Sequence, residues 1–227
     1  MSTVVLAGSL GSTAEMWEPQ RPALAGKDVV RIEHPGHGAA PVVDVATVGD
    51  LAARALAQIE AERFAFVGLS LGGAIGMQIA LDEPERVEKL VLASTSVRFG
   101  EPQQWLDRAA TVRAEGLQAI VDATMGRWFE SRPADERWRR MFLSVDAEGY
   151  ARCCEALATW DTREAVGRID VPTLAVAGAE DPTTPPEHLR AIADAIPGAR
   201  LQVLQHAKHL ANVERADAFN RLLEDWL

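Results

Sequence analysis

Residues 68–72 of the chain read Gly-Leu-Ser-Leu-Gly and are the segment most able to do chemistry. They lie between an apolar run at 64–69 and an apolar helical pattern at 74–81. Glycines two residues before and after a serine remove the Cβ atoms that would clash at a sharp strand-to-helix turn, so the hydroxyl of Ser70 can stand clear of the sheet. The helix that follows directs its N-terminal amides at negative charge formed beside that hydroxyl. The pattern predicts a serine nucleophile.

A serine hydroxyl is a weak nucleophile and needs a histidine base that a carboxylate orients. The best acid is Asp181, which follows an apolar run at 173–177 and lies in a loop bounded by glycine and proline. The best base is His209, between the last apolar run and the last helical pattern, and Glu180 and His206 are the competing choices. Taken alone, an aspartate in such a loop is usually a turn former. The chain order serine, acid, histidine, each after a predicted strand, favours a catalytic triad.

An oxyanion formed during acyl transfer needs two preorganised backbone donors. The first expected donor is the amide of Leu71, at the start of the helix after the serine. The second is the amide of Leu10, in the loop Gly-Ser-Leu-Gly-Ser at residues 8–12. The two glycines of that loop could serve only to make a strand-to-helix turn, but the same turn would present the amide.

These side chains need a scaffold, and the pattern of the chain indicates an α/β fold. Short apolar runs alternate with amphipathic helical patterns, which is typical of a parallel sheet covered by helices on both faces. The segment 99–166 interrupts this alternation, since it has no convincing strand and carries Arg, Glu, Trp and Ala at helical spacing. We predict a core formed by residues 1–98 and 167–227, and a helical cap formed by 99–166. The predicted strands are 4–7, 29–32, 64–69, 87–94, 173–177 and 201–204, and the predicted helices are 47–62, 74–82, 187–195 and 215–226.

The composition narrows the classes of function. With 227 residues and a formal net charge of −10, the chain suits one domain and does not favour nucleic acid or anionic membranes as partners. No apolar stretch reaches membrane-spanning length, and the N-terminus lacks the features of a signal peptide, so we expect a cytoplasmic protein. The two cysteines, Cys153 and Cys154, are adjacent and poorly placed to bridge each other. We expect inert, packed thiols, with a nucleophilic or metal-binding role as the alternative.

With the serine, acid and histidine placed, the chain resembles the α/β-hydrolase superfamily over nearly its whole length. Residues 33–38, Glu-His-Pro-Gly-His-Gly, are similar to the superfamily's Asp-x-x-Gly-His-Gly turn, which implies structural roles for His34 and His37. Residues 170–178 are similar to the entry into its acid-bearing strand. The run 209–214 is similar to its His-x-x-x-x-Glu ending.

The closer resemblance is to the 3-oxoadipate enol-lactonases, which act in bacterial aromatic catabolism by the β-ketoadipate pathway. It extends into the predicted cap, where Gly-Arg-Trp-Phe at 126–129 and Gly-Tyr-Ala-Arg-Cys-Cys-Glu-Ala at 149–156 are similar to that family's motifs. The family usually has a β-hairpin before the first strand found here. We therefore expect a sheet of about six strands with an uncovered edge, which could favour a homo-oligomer.

The resemblance implies hydrolysis of a small anionic enol-lactone to 3-oxoadipate, without a metal or an organic cofactor. In an acidic protein the substrate carboxylate needs a local donor, and the candidates are Arg127, Arg113 and Arg137. Trp128 and Trp105 could serve as walls or N–H donors, although cap arginines often pair with acids and cap tryptophans often pack. The alternative functions are another carboxylesterase or lactonase, a perhydrolase, and a non-catalytic small-molecule receptor.

Overall fold

The computed structural model describes residues 2–130 and 136–227, which build a six-stranded sheet. The strand order is β2-β1-β3-β4-β5-β6, and every neighbouring pair is parallel. The mostly parallel α/β fold predicted from the sequence is therefore confirmed, and each strand lies within one residue of its predicted bounds. The strands are β1 Thr3–Ala7, β2 Asp28–Ile32, β3 Phe64–Leu69, β4 Val87–Ala93, β5 Thr173–Gly178 and β6 Arg200–Leu204.

Nine α-helices of the described residues accompany the sheet. A 3-10 helix at Ala14–Gln20 follows β1. The α-helices are α1 Val48–Leu56, α2 Leu71–Asp82, α3 Pro102–Glu115, α4 Val121–Trp128, α5 Glu136–Leu143, α6 Ala147–Ala158, α7 Pro186–Ala195, α8 Ala211–Glu214 and α9 Ala216–Trp226.

Helix α1 begins where the sequence predicts and ends earlier than the predicted residue 62. Its start is fixed by a capping box, in which the Thr47 hydroxyl accepts from the Asp50 amide and the Asp50 carboxylate accepts from the Thr47 amide. Beyond residue 57, the guanidinium of Arg86 donates to the carbonyls of Ile59, Ala61 and Glu62. The helix ends because the amides of Gln58 and Ile59 bond three residues back, to the carbonyls of Ala55 and Leu56, and Arg86 then binds the carbonyls of the segment that follows.

Helix α2 runs through the centre of the molecule, and its glycines allow a very close approach to the sheet. A Cβ atom on Gly72 would lie 2.0 Å from the carbonyl oxygen of Ala7, and one on Gly73 would lie 2.6 Å from Thr95. Most residues of α2 are buried, because the helix packs against β1, β3 and β4. This packing fixes the first turn of α2, and with it Ser70, against the middle strands of the sheet.

The segment between β4 and β5 contains α3, α4, α5 and α6, and no strand lies among its described residues. Its predicted helical character is confirmed, while its extent as a cap unit, 99–166, stays a prediction. Both cysteines lie buried and unbridged in α6. Burial raises the pKa of the Cys153 thiol and raises that of Cys154 to about 12. They are packed and protonated, in line with the expectation of inert thiols.

The lengths of the helices bear on membrane insertion. The longest α-helix of the described residues, α3, has 14 residues, whereas about 20 apolar residues are needed to cross a bilayer. Within residues 2–130 and 136–227 the structure contains no helix long and apolar enough to span a membrane.

Candidate active site

Ser70 lies between β3 and α2 with φ 58° and ψ −114°, a backbone conformation that non-glycine residues rarely adopt. Two hydrogen bonds hold it there. Its amide donates to the carbonyl of Ala93 at 2.9 Å, and its carbonyl accepts from the hydroxyl of Thr95 at 2.7 Å. A strained residue persists only where its surroundings determine it, and such residues cluster at functional sites. The turn predicted from the glycine spacing is therefore present.

Asp181 and His209 form a buried pair at the carboxyl ends of β5 and β6. The Asp181 Oδ2 atom lies 2.8 Å from His209 Nδ1, and both side chains are almost fully buried. The other oxygen of Asp181 accepts from the amides of Thr183 and Thr184 at 2.8 and 3.2 Å. The Thr184 hydroxyl donates to Oδ2 at 2.7 Å. The acid is thus held on both oxygens and faces the imidazole.

The competing acid and base lie elsewhere. The Glu180 carboxylate accepts from the amide of Ala207 at 2.9 Å, so it braces the loop that carries His209. His206 is exposed and has a positive φ of 57°. The geometry brings Asp181 to His209 and leaves Glu180 and His206 outside this pair.

The electrostatics of Asp181 suit an orienting carboxylate. Burial alone would raise its pKa, but the charge of His209 and the hydrogen bonds from His209, Thr184 and the Thr183 amide hold the pKa below its usual value. An ionised Asp181 accepts a hydrogen bond from a protonated Nδ1 of His209. The Nε2 atom then keeps its lone pair and can act as a base.

The sheet topology places Ser70 at the same edge of the sheet as this pair. The carboxyl ends of parallel strands lie at one edge of the sheet, and Ser70 follows β3 as His209 follows β6. No hydrogen bond joins Ser70 Oγ to His209 among those of the described residues. In triads this contact is often long before substrate binds and shortens in the reacting complex.

The predicted oxyanion donors, the amides of Leu10 and Leu71, belong to two segments that a hydrogen bond joins. The amide of Gly72 donates to the carbonyl of Gly8 at 3.0 Å, which ties the start of α2 to the loop after β1. In that loop the amide of Gly11 donates to Nε2 of His37 at 3.0 Å. The hydrogen bonds within residues 2–130 and 136–227 include none from the amides of Leu10 or Leu71. Two unpaired donors on joined segments are what an oxyanion requires.

His34 and His37 hold the loop after β1 through hydrogen bonds to its backbone. His37 accepts the Gly11 amide at Nε2, and its Nδ1 donates to the carbonyl of Pro35 at 2.9 Å. His34 donates from Nε2 to the carbonyl of Gly8 at 2.9 Å. Burial lowers the pKa of His34, and burial together with the neighbouring His34 lowers that of His37 to about 3. Both imidazoles are neutral and act as fixed hydrogen-bonding groups.

The stability of the protein should fall as the pH drops from about 6.5 to about 3. In this window the unfolded chain binds a proton at His37 that the folded chain does not bind. The expected loss of unfolding free energy from this residue is at most about 1.4 kcal/mol per pH unit. Urea denaturation at several pH values measures it. His37→Gln should flatten the dependence, and equal slopes for the variant and the wild-type protein would contradict the assignment.

A cavity of about 220 Å³ opens between helices α3 and α4 and the loop that bears Asp181. Pro182 and Thr183, which follow Asp181, form one side of it, and the Thr183 hydroxyl is buried without a hydrogen-bond partner among the described residues. Ser70 is not part of its lining. The full lining is Phe99, Gly100, Gln104, Trp105, Arg108, Arg127, Pro182 and Thr183.

Two arginines of this cavity lack a carboxylate partner. Within residues 2–130 and 136–227, neither Arg108 nor Arg127 forms an ion pair. Burial and the charge of Arg108 lower the pKa of Arg127, whose Nη2 donates to the Thr124 hydroxyl at 3.0 Å. The Arg108 guanidinium lies 5.1 Å from the ring centre of Trp105. Two cations without counter-ions at one cavity favour an anionic ligand.

The sequence reasoning named Arg127 and Trp105 and missed Arg108. A signal was present, because Arg108 follows Trp105 by three residues and therefore shares its face of α3. Trp105 lines the cavity, which is the first of the two roles suggested for it, a wall or an N–H donor. Its indole N–H donates to the carbonyl of Phe99, so it does not point a free donor at a ligand.

The other suggested substrate contacts are not brought to this cavity. Arg113 is bonded to the carboxylates of Glu148 and Glu155 on α6, so its charge is already neutralised. Arg137 pairs with Glu15. Trp128 is buried edge-on against the ring of Phe142, with centroids 5.7 Å apart. For these three residues the ordinary structural roles are the ones observed.

One group of described side chains has the geometry to hold a metal ion. Ligand atoms of Glu130, Glu180 and His206 lie within 4.8 Å of one another, and all three residues are exposed. Exposed carboxylates often lie together without a metal, so the group does not by itself define a site.

Comparison with known proteins agrees with this geometry. A family model described as the alpha/beta hydrolase family matches residues 4–222. The chain is 34% identical to a protein named 3-oxoadipate enol-lactonase 2 from Acinetobacter baylyi, over 97% of this chain and 86% of the relative. It is similar to the solved enol-lactonase from Burkholderia xenovorans LB400, with TM-score 0.93, 36% identity and coverage of 99% and 90% of the two chains. It is also similar to a malate-bound thermophilic esterase from Thermogutta terrifontis, with TM-score 0.92, 26% identity and coverage of 100% and 89%.

Proposed function

Because the chain belongs to the α/β hydrolase family, we propose that it hydrolyses 3-oxoadipate enol-lactone to 3-oxoadipate by a serine acyl-enzyme mechanism. The observation that carries the proposal is the buried Asp181–His209 pair beside a cavity with two arginines that form no ion pair with any described carboxylate. The pair supplies a base for ester or lactone cleavage, and the arginines supply a place for the carboxylate of this substrate.

In the first half of the proposed reaction, His209 Nε2 takes the proton of Ser70 as Ser70 Oγ bonds to the lactone carbonyl carbon. The carbonyl oxygen becomes negative and accepts hydrogen bonds from the amides of Leu10 and Leu71. Asp181 holds the tautomer of His209 and stabilises its cation. Collapse breaks the bond to the ring oxygen, which leaves as an enol, takes the proton from His209 and relaxes to the ketone.

In the second half, His209 removes a proton from water, and the resulting hydroxide attacks the acyl group on Ser70. The same two amides stabilise the second oxyanion. Its collapse returns the proton from His209 to Ser70 Oγ and releases 3-oxoadipate. Each step uses the groups of this chain and water.

The names of similar proteins support a small substrate that carries a carboxylate. Two of them are named enol-lactonases, and a similar esterase was solved with malate, which is a dicarboxylate like the product 3-oxoadipate. The alternative with a specific observation in its favour is a carboxylesterase, since an esterase shares the same fold at a TM-score of 0.92.

Replacing Arg108 or Arg127 with methionine should raise KM for the enol-lactone by about 10–100-fold, the usual value of a charge-assisted hydrogen bond. Hydrolysis of uncharged p-nitrophenyl acetate should change little, because that ester has no carboxylate to bind. Steady-state kinetics on both substrates measure the two effects. Arg113→Met is the matched control, since Arg113 is bonded to Glu148 and Glu155. Equal losses on both substrates would contradict the assignment of the arginines to the anion.

The proposal is tested by comparing kcat/KM for freshly prepared 3-oxoadipate enol-lactone with that for p-nitrophenyl acetate. A strong preference for the lactone supports the proposed reaction. Activity confined to the simple ester would keep the serine mechanism and favour the carboxylesterase alternative. Tight binding of the lactone without turnover would instead indicate a receptor.

A further inference from the structure

The loop that carries His209 is held by hydrogen bonds to groups outside the loop. The four consecutive amides of residues 207–210 lie between β6 and α8 and belong to neither element. Each donates to an acceptor outside the loop. In order, the acceptors are the Glu180 carboxylate at 2.9 Å, the Glu214 carboxylate at 2.7 Å, and the carbonyls of Arg127 at 3.4 Å and Trp128 at 3.2 Å.

Glu214 differs from the other acceptors because it binds two segments at once. One carboxylate oxygen accepts from the amide of Lys208, directly before His209, at 2.7 Å. The other accepts from the amide of Glu130, directly beyond the end of α4 and Phe129, also at 2.7 Å. Both hydrogen bonds are short and charge-assisted, which makes them strong for their type. One side chain therefore ties the histidine loop to the end of a cap helix.

The backbone of Glu214 is itself well anchored. It is the last residue of α8, and α8 is attached to the 3-10 helix at Ala14–Gln20. Asn212 donates to the carbonyl of Met16 and to the side chain of Gln20, each at 2.9 Å. The side chain of Gln20 donates back to the Asn212 carbonyl at 2.8 Å. Glu214 therefore projects its carboxylate from a fixed base.

We propose that Glu214 is a positioning residue that sets the place of His209 by holding the Lys208 amide against the end of α4. It touches neither the substrate nor the reacting atoms and acts through the loop. The inference rests on the proposed serine mechanism, because it requires His209 to be the base. It does not depend on which ester or lactone is the substrate.

Glu214→Gln tests the role with little change in shape. A glutamine has one acceptor oxygen and one donor nitrogen, so it can satisfy only one of the two amides and presents an N–H group to the other. Misplacement of a catalytic group by about 1 Å can cost about 100-fold in rate. We expect kcat to fall by about 10–100-fold, while KM for the same substrate changes much less.

The experiment uses the full chain and two measurements made below the onset of thermal unfolding of the variant. The first is the rate at which a fluorophosphonate labels Ser70, which reports the base without any substrate preference. The second is kcat and KM for p-nitrophenyl acetate. Glu224→Gln is the matched control, an exposed glutamate on α9. Lys208→Met is a second variant that removes the side-chain bond to the Gly126 carbonyl but keeps the amide.

The inference predicts slow labelling and low kcat for Glu214→Gln, with near wild-type values for Glu224→Gln and Lys208→Met. A folded Glu214→Gln protein that labels as fast as the wild type would overturn it, even if its melting temperature were lower. Equal losses in Lys208→Met and Glu214→Gln would overturn it as well, because the carboxylate would then have no distinct effect. Wild-type protein that does not label at Ser70 would instead contradict the proposed serine mechanism.

Discussion

Ser70→Ala is expected to lower kcat by about 10⁶-fold, the size of the loss for the nucleophile of a serine protease. The alanine removes only the oxygen that would attack the substrate. The two hydrogen bonds that hold this turn are made by the backbone of residue 70 and stay in place. Thermal unfolding should therefore change little. Lactone hydrolysis and a melting curve on the same preparation measure both quantities.

Ser94 offers a matched control for this experiment. It follows the neighbouring strand β4, is fully buried, and also has a positive φ, 43°. Ser94→Ala removes a hydroxyl from a similar environment and should keep most of the activity. Retention of most activity by Ser70→Ala would contradict a serine nucleophile, and a comparable loss in both variants would point to a general disturbance of the turn.

Asp181→Asn should lower kcat by about 10⁴-fold, by analogy with the acid of the serine-protease triad. An asparagine can present its N–H group to Nδ1 of His209, which favours the wrong tautomer and removes the free lone pair at Nε2. The variant also loses the negative charge that stabilises the imidazolium. Steady-state kinetics on the enol-lactone, with circular dichroism to confirm folding, measure this effect.

Glu180→Gln separates the two neighbouring acids. The Glu180 carboxylate accepts from the Ala207 amide and does not touch the imidazole, so glutamine can keep that bond through its own carbonyl oxygen. We expect a loss of less than about tenfold. A large loss for Glu180→Gln together with a small loss for Asp181→Asn would reverse the assignment of the acid.

The sequence was sufficient for the parts of the fold that depend on local patterns. The strands are short apolar runs, and the glycines around Ser70 are required by a turn whose backbone is visible in the spacing alone. The end of α1 was predicted six residues too late, and the segment after it is held instead through its carbonyls by Arg86, 24 residues after Glu62. The spacing of apolar residues in this segment does not reveal a partner so far away in the sequence.

The proposed substrate contacts likewise depend on residues that are distant in the sequence. Arg108 and Arg113 lie on one helix and look equivalent in the sequence. What separates them is α6, which places Glu148 and Glu155 against Arg113 and no carboxylate against Arg108. The choice between them therefore depends on packing between helices, which a single sequence does not contain. The Asp181–His209 pair was easier to predict, because the chain order serine, acid, histidine repeats across this fold.

The attachment of the histidine loop to α4 has a consequence for how this enzyme could change during evolution. In a modular enzyme, one segment could be exchanged to alter substrate preference while the catalytic machinery remained intact. Here the carbonyls of Arg127 and Trp128, at the end of α4, are also acceptors for the amides of His209 and Leu210. A segment transplanted in place of α4 would have to supply equivalent acceptors, so any exchange of this segment must also preserve the placement of His209.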